Sequence, residues 1–272
     1  MRRRTVLAAA SIALPTALAG CSLLDDGTEV TETVDRQVDV EEGTPVSVVG
    51  QNGPIEVTAT DAEAVQIDAT KRTRGGQDAL DTVEVQIDST GSGVLIQAAY
   101  PENRDLIERP VAVDFEVGIP SGIPVDTVET ANGEVSATGV AGDVSLASAN
   151  GPVQAEDVDG YVRLQTTNGG VDVTGVAGVD RAATTNGEID VELQAIRGDV
   201  PVETTNGDVT LRAATALEAT FDLETSVGDV SVQGLSLDRS TDSSNRIVGD
   251  LNGGGDRVTA ETTTGDVTLR SL

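Results

Sequence analysis

The residues in this chain that could do chemistry are few, and they recur on a regular beat. Asn-Gly pairs fall at Asn132-Gly133, Asn150-Gly151, Asn168-Gly169, Asn186-Gly187 and Asn206-Gly207, in steps of 18, 18, 18 and 20 residues. The residue after each pair is Glu134, Pro152, Gly170, Glu188 and Asp208 in turn. If successive phrases stack, Glu188 and Asp208 lie about 5 Å apart, close enough to share a calcium ion through oxygen ligands. They are the candidate cation ligands. Calcium-binding nonapeptide repeats, however, need Gly-Gly-x-Gly-x-Asp in every unit, and these units do not supply it. The plainer expectation is a row of exposed acids after a turn, with no metal and no cofactor.

Catalysis finds little to work with. The chain has no histidine, the commonest general base and metal ligand. A serine nucleophile needs a base within hydrogen-bond reach, and no Gly-x-Ser-x-Gly motif occurs. A β-helical polysaccharide lyase or hydrolase sets arginine or lysine against carboxylates, whereas Arg163, Arg197 and Arg212 are scattered in the sequence. No catalytic residue is therefore expected. The Asn-Gly pairs serve instead as corners: Asn and Gly tolerate left-handed backbone, and stacked Asn or Thr side chains can hydrogen-bond from coil to coil.

The elements that carry these corners follow from a finer beat. Gly133, Gly142, Gly151, Gly160, Gly169, Gly178 and Gly187 are nine residues apart. Each unit has apolar residues two apart, such as Val144 and Leu146 or Val153 and Ala155, which is the pattern of a strand with one buried face. Two units per 18–20 residues, with Asn-Gly at one end and a plainer Gly turn at the other, predict one coil of an all-β, single-stranded β-solenoid. A meander of hairpins or a sandwich is the alternative, since Asn-Gly also favours hairpins. The unit 177–185 breaks the rule with Asp180 at a core position. After Asn206 related turns appear at 226–229 and 263–266, and the Ser-, Asp- and Gly-rich stretch 238–256 is expected to be a long loop. Residues 129–272 thus form regular repeats. Residues 29–128 alternate without the strict beat and are expected to be irregular coils of the same domain, with 71–77 and 102–110 as excursions.

The leading segment carries an address. Arg3 and Arg4 precede a run of about fourteen mostly apolar residues, too short to span a membrane at roughly 20 residues. The arginine pair resembles a twin-arginine export signal. Leu18-Ala19-Gly20-Cys21 resembles the lipobox of bacterial and archaeal lipoproteins, which implies cleavage of residues 1–20, lipid attachment at Cys21 and a tether over 21–28. Cys21 is the only cysteine, so no intramolecular disulfide can form.

Charge narrows the partners. Losing Arg2, Arg3 and Arg4 with the leader leaves 14 basic residues against 46 acids, a net charge of −32. Lys71 is the one lysine. Such a surface resembles that of proteins from salt-loving archaea, and it repels nucleic acid.

The strings Glu203–Leu211 and Glu261–Leu269, with the Val-rich strand 113–120 ending in Ile-Pro, resemble the putative-adhesin family of β-strand-repeat domains. The resemblance covers roughly residues 45–272. It implies a β-repeat fold, export or membrane attachment, and no catalytic signature. The expectation is a lipid-anchored, non-catalytic cell-surface scaffold on the outer face of the cytoplasmic membrane, touching an envelope or cell-surface partner. A structural or envelope-stress component is the alternative, and a polysaccharide-active enzyme a further one.

Self-repulsion of this size destabilises a compact state unless salt screens it. Dilution below about 0.5 M salt is expected to unfold the mature domain; circular dichroism unchanged on desalting would contradict this.

Overall fold

The structure, a computed structural model, describes residues 29–91, 93–101 and 110–272. Arg3, Arg4, Cys21, the leader and the tether lie outside the described residues. Alternation builds the strands as expected: Val144–Asn150 buries Val144, Leu146 and Ser148, and Val153–Glu156 buries Val153 and Ala155. Along residues 125–213 each coil gives one strand to a twelve-stranded sheet, turns at its Asn-Gly corner, and gives the next strand to an eleven-stranded sheet. The core lies between the two sheets.

Neighbouring coils pair in parallel and in register, with Val144 opposite Val162, Leu146 opposite Leu164 and Asn150 opposite Asn168. A hairpin meander would pair its strands antiparallel, so the solenoid is the architecture. Five coils follow one another in both sequence and space. They are Val125–Asn132 with Val135–Thr138, Val144–Asn150 with Val153–Glu156, and Tyr161–Asn168 with Val171–Thr174. Gly178–Ala183 with Ile189–Leu193 and Val200–Asn206 with Val209–Ala213 complete the run.

Three interactions repeat at the Asn-Gly corners. Asn132 donates its side-chain amide to Asn52 Oδ1 at 2.9 Å, Asn150 to Asn132 at 2.8 Å and Asn168 to Asn150 at 2.8 Å. Asn186 and Asn206 extend the file, each at 2.9 Å. The first hydroxyl of each corner phrase is buried and donates to the glycine carbonyl of the preceding coil, as Ser148 does to Gly133 and Thr166 to Gly151, both at 2.8 Å. The glycine itself has no substitute. Gly151 has φ +151°, and a Cβ there would come well under 3.0 Å from the Gly133 carbonyl oxygen. Close stacking and backbone angle thus demand the same residue.

Several features depart from the sequence reading. Unit 177–185 accommodates Asp180 through a register shift between Val162 and Arg163, which leaves Val179 and Ala182 buried and turns Asp180 outward. The two residues that lengthen the 186–206 step go into the corner 194–199, between Ile189–Leu193 and Val200–Asn206. Stretch 238–256 is no long loop: Asp238–Asp242 and Arg246–Leu251 form an antiparallel hairpin. Upstream, Val46–Val49 with Ile55–Thr60 and Gly93–Ala99 with Ala112–Pro120 are coils. Val30–Val38, Val65–Thr73 and Glu84–Thr90, however, pair antiparallel and close that end of the stack. Residue 71, expected in an excursion, lies on Val65–Thr73; of the other expected excursion, residues 102–109 fall outside the described residues.

The order of coils is also not the order of the chain. Coil 46–60 lies between coils 93–120 and 125–138, and coil 257–271 lies between coils 200–213 and 219–233. The fully buried rings Phe115 and Phe221 belong to the two outer coils, 93–120 and 219–233. The eight spacings between the nine coils of the described residues, at about 4.8 Å each, give a stack about 38 Å high.

Gly151→Ala is expected to cost about 3–4 kcal/mol, as a strained backbone and a steric clash combined. Asn168→Ala removes exposed amide hydrogen bonds and should cost only about 1 kcal/mol. Denaturant titration of both variants at high salt separates them; equal losses would reject this division.

Candidate functional site

The corner residues come together as a single file of amides beside a file of glycines, and both are occupied in holding coil to coil. Glu188 and Asp208 do lie in neighbouring coils, since Ile189 pairs with Val209. Asp208 Oδ1 accepts the Asp266 backbone N–H at 2.8 Å, and Asp266 Oδ1 accepts that of Asp229 at 2.9 Å. The acid after the glycine thus satisfies a main-chain donor of the next coil. Among the described residues no three carboxylates converge in a metal-binding arrangement.

The outward faces carry like residues in files, because parallel or in-register pairing repeats each position along the axis. On the eleven-stranded sheet Asp35 lies opposite Asp68, Asp68 opposite Glu116, and Glu116 opposite Glu56. Four carboxylates therefore run in one line. Partial burial pushes the Asp68 carboxyl above its ordinary range, helped by its hydrogen bond with Asp35 and by the charges of Asp35 and Glu116. Further along the sheet Asp172 lies opposite Asp190. Burial and then the Asp190 charge raise the Asp172 carboxyl.

The arginines are less scattered than the sequence suggests. Arg212 reaches Asp190 at 2.6 Å and Glu192 at 3.2 Å. Beyond these ion pairs, Asp190 Oδ1 and Arg212 Nε are buried without a hydrogen bond. Arg197, on the lengthened corner, bonds Asp180 with two nitrogens and Asp143 with a third, and its guanidinium lies 4.0 Å from the Tyr161 ring centre. The Tyr161 N–H and then Arg197 hold the Asp143 carboxyl below its usual range. Arg163 lies apart from both groups, on the twelve-stranded sheet beside Ser145 and Arg181.

Lys71 was not singled out as a site residue, yet it is the most buried cation among the described residues. Its ammonium donates to the carbonyls of Leu80 and Val83 at 3.3 and 3.2 Å and pairs with Glu32 at 3.3 Å. Three donors meet three acceptors. This pins Gln77–Leu80, the short helix, over the end of the stack. The only sequence signal was the rarity of lysine itself.

A raised carboxyl binds its proton more tightly in the folded state. Its stabilising contribution is present below the ordinary carboxylate range and is lost as pH rises through the raised value. Asp68→Asn should therefore raise the melting temperature at pH 7 and leave it nearly unchanged at pH 3, by scanning calorimetry at constant salt. A lower melting temperature at pH 7 would count against repulsion in this file.

Comparison with known proteins places this geometry in a family. No curated protein matches the sequence. A "putative adhesin" from Bacteroides fragilis NCTC 9343 superposes with a TM-score of 0.40 at 10% identity, covering 88% of this chain and 97% of that one. A "putative cell adhesion protein" from Clostridium sporogenes ATCC 15579 gives 0.37 at 9% identity, over 89% and 100% of the two chains. A "putative lipid binding protein" from Parabacteroides distasonis ATCC 8503 gives 0.39 at 14% identity, over 88% and 96%. The family model covers residues 117–270, which takes in all five corners from Asn132 to Asn206 and both later turns. The chain belongs to the Toastrack DUF4097 family.

Proposed function

We propose that this protein is a lipid-anchored, non-catalytic surface scaffold that presents its two acidic sheet faces to a partner outside the cytoplasmic membrane. The observation that carries the reading is the distribution of its ionisable groups. Acids and arginines are spread over the outward faces as files and pairs, and the corner residues are used up in stacking. Such a surface suits broad contact more than turnover. Attachment rests on the lipobox-like Leu18-Ala19-Gly20-Cys21, and export on Arg3 and Arg4. Among the described residues no helix is long and apolar enough to cross a membrane. The partner would present basic or cation-bridged groups, since like charge excludes anionic polymers at moderate salt. A structural or envelope-stress role remains the alternative use of the same scaffold.

One observation favours a second, enzymatic reading. Asp172 and Asp190 face each other in adjacent coils, one with a raised carboxyl and the other paired with Arg212. A carboxyl raised by burial beside a second carboxyl is an arrangement glycoside hydrolysis uses. Against it, Arg212 is already paired with Asp190 and Glu192.

Three measurements test these readings. Cys21→Ser should move the protein from the membrane fraction to the medium, and crosslinking on whole cells along the sheet faces should capture a recurring partner. Retention of the variant in the membrane, or repeated capture of nothing, would reject the anchored scaffold. Release of reducing ends from neutral polysaccharides, abolished in Asp172→Asn, would establish the enzymatic reading instead.

A further inference from the structure

Coil 219–233 precedes coil 257–271 in the chain, yet coil 257–271 lies inside it. Arg257–Thr264 is bonded to Val200–Asn206 on one side and to Ala219–Val227 on the other. Val267–Ser271 is likewise bonded to Val209–Ala213 and to Val230–Gln233. A segment made later thus fills a slot between two made earlier.

The three coils carry nearly the same phrase. Glu203-Thr-Thr-Asn-Gly-Asp-Val, Glu224-Thr-Ser-Val-Gly-Asp-Val and Glu261-Thr-Thr-Thr-Gly-Asp-Val align without gaps. Thr262 donates to the Gly207 carbonyl at 2.9 Å, and the Asp266 N–H reaches Asp208. Thr225 and Asp229 make the equivalent bonds one coil further out, to Gly265 and Asp266. Coil 219–233 therefore owns the corner donors needed to dock directly on coil 200–213 while the inner coil is still missing. These corner contacts do not distinguish the sequential order from the interleaved one.

Asp222 does distinguish them. It is buried, pairs with Val248 of the hairpin on one side and lies opposite Thr259 of the inner coil on the other. Arg246 bonds both its carboxylate oxygens, at 3.2 and 3.1 Å, and Arg257 bonds Oδ2 at 2.9 Å. In a sequential stack both edges of strand Ala219–Val227 would be taken by coils 200–213 and 257–271. The hairpin strand Arg246–Leu251 would then lose its seat and Asp222 would lose Arg246. A buried carboxylate stripped of a partner is costly.

We propose that the stack closes by insertion. Coil 219–233 first docks on coil 200–213, coil 257–271 then displaces it outward, and Asp222, clamped from both sides by Arg246 and Arg257, holds the interleaved order. It is a positioning residue for the fold. Once inserted, coil 257–271 is bonded on both sides and opens only with its neighbours, so this end of the stack loosens first at the hairpin.

Hydrogen exchange on the full mature chain at high salt tests this. Amides of 257–271 should exchange as slowly as those of 144–174 and at least tenfold more slowly than those of 238–242. On refolding, protection of 219–233 should precede that of 257–271. In Asp222→Asn, protection of 257–271 should appear at least tenfold more slowly or in two populations, with 144–174 unchanged. Exchange of wild-type 257–271 as fast as 238–242 would overturn the insertion. Wild-type refolding rate and pattern in Asp222→Asn would overturn the role of Asp222. Should that variant fail to refold, Arg246→Gln, which keeps the Arg257 bond, is read in the same way and decides the matter.

Discussion

The structure depends on how closely one coil can lie on the next. At the corners the backbone of each glycine passes over the glycine carbonyl below it with no space for a Cβ, as at Gly151 over Gly133 and Gly207 over Gly187. That closeness lets the hydroxyl of Ser148 or Thr166 reach the carbonyl below and lets the asparagine amides form an unbroken file. Once the corners are fixed in this way, the register of both sheets follows. A slip of one residue would turn every buried Val and Leu to solvent.

Register has an electrostatic consequence. Whatever stands at one outward position is repeated by its neighbours at strand spacing, so an acid-rich chain builds lines of carboxylates such as Asp35, Asp68, Glu116 and Glu56. The molecule offsets this with a few cations placed where they bridge coils. Arg197 joins Asp143 to Asp180, Arg212 joins Asp190 to Glu192, and Lys71 ties the capping segment to Glu32. The repulsion that is left is of a kind that dissolved salt weakens. The same faces that need screening are the ones available to a partner, which ties the functional reading to the charge.

A repeat of near-identical coils also faces the problem that its parts are interchangeable. The corner contacts that bind coil 257–271 to coil 200–213 would serve coil 219–233 equally well. Specificity then has to come from residues that are not repeated. Asp222, Arg246, the hairpin Asp238–Leu251 and the capping strands at the other end are of this kind. Unrepeated residues also mark the ends of the stack, where Phe115 and Phe221 fill the outer coils.

The sequence alone determined the coil. Asn-Gly at 18–20 residues, glycine every nine and alternating valines are local signals, and the contacts they predict are between equivalent positions, so a single period encodes both strand and partner. It also determined the charge and the near-even spacing of the asparagines from Asn132 to Asn206. Only the tertiary structure decided which coil lies on which, because like phrases give like contacts whatever their order. It alone brought Arg212 to Asp190 and Glu192, Arg197 to Tyr161, and Lys71 to the carbonyls of Leu80 and Val83. Those pairings join positions with no common period, and a repeat carries no information about the places where it is broken.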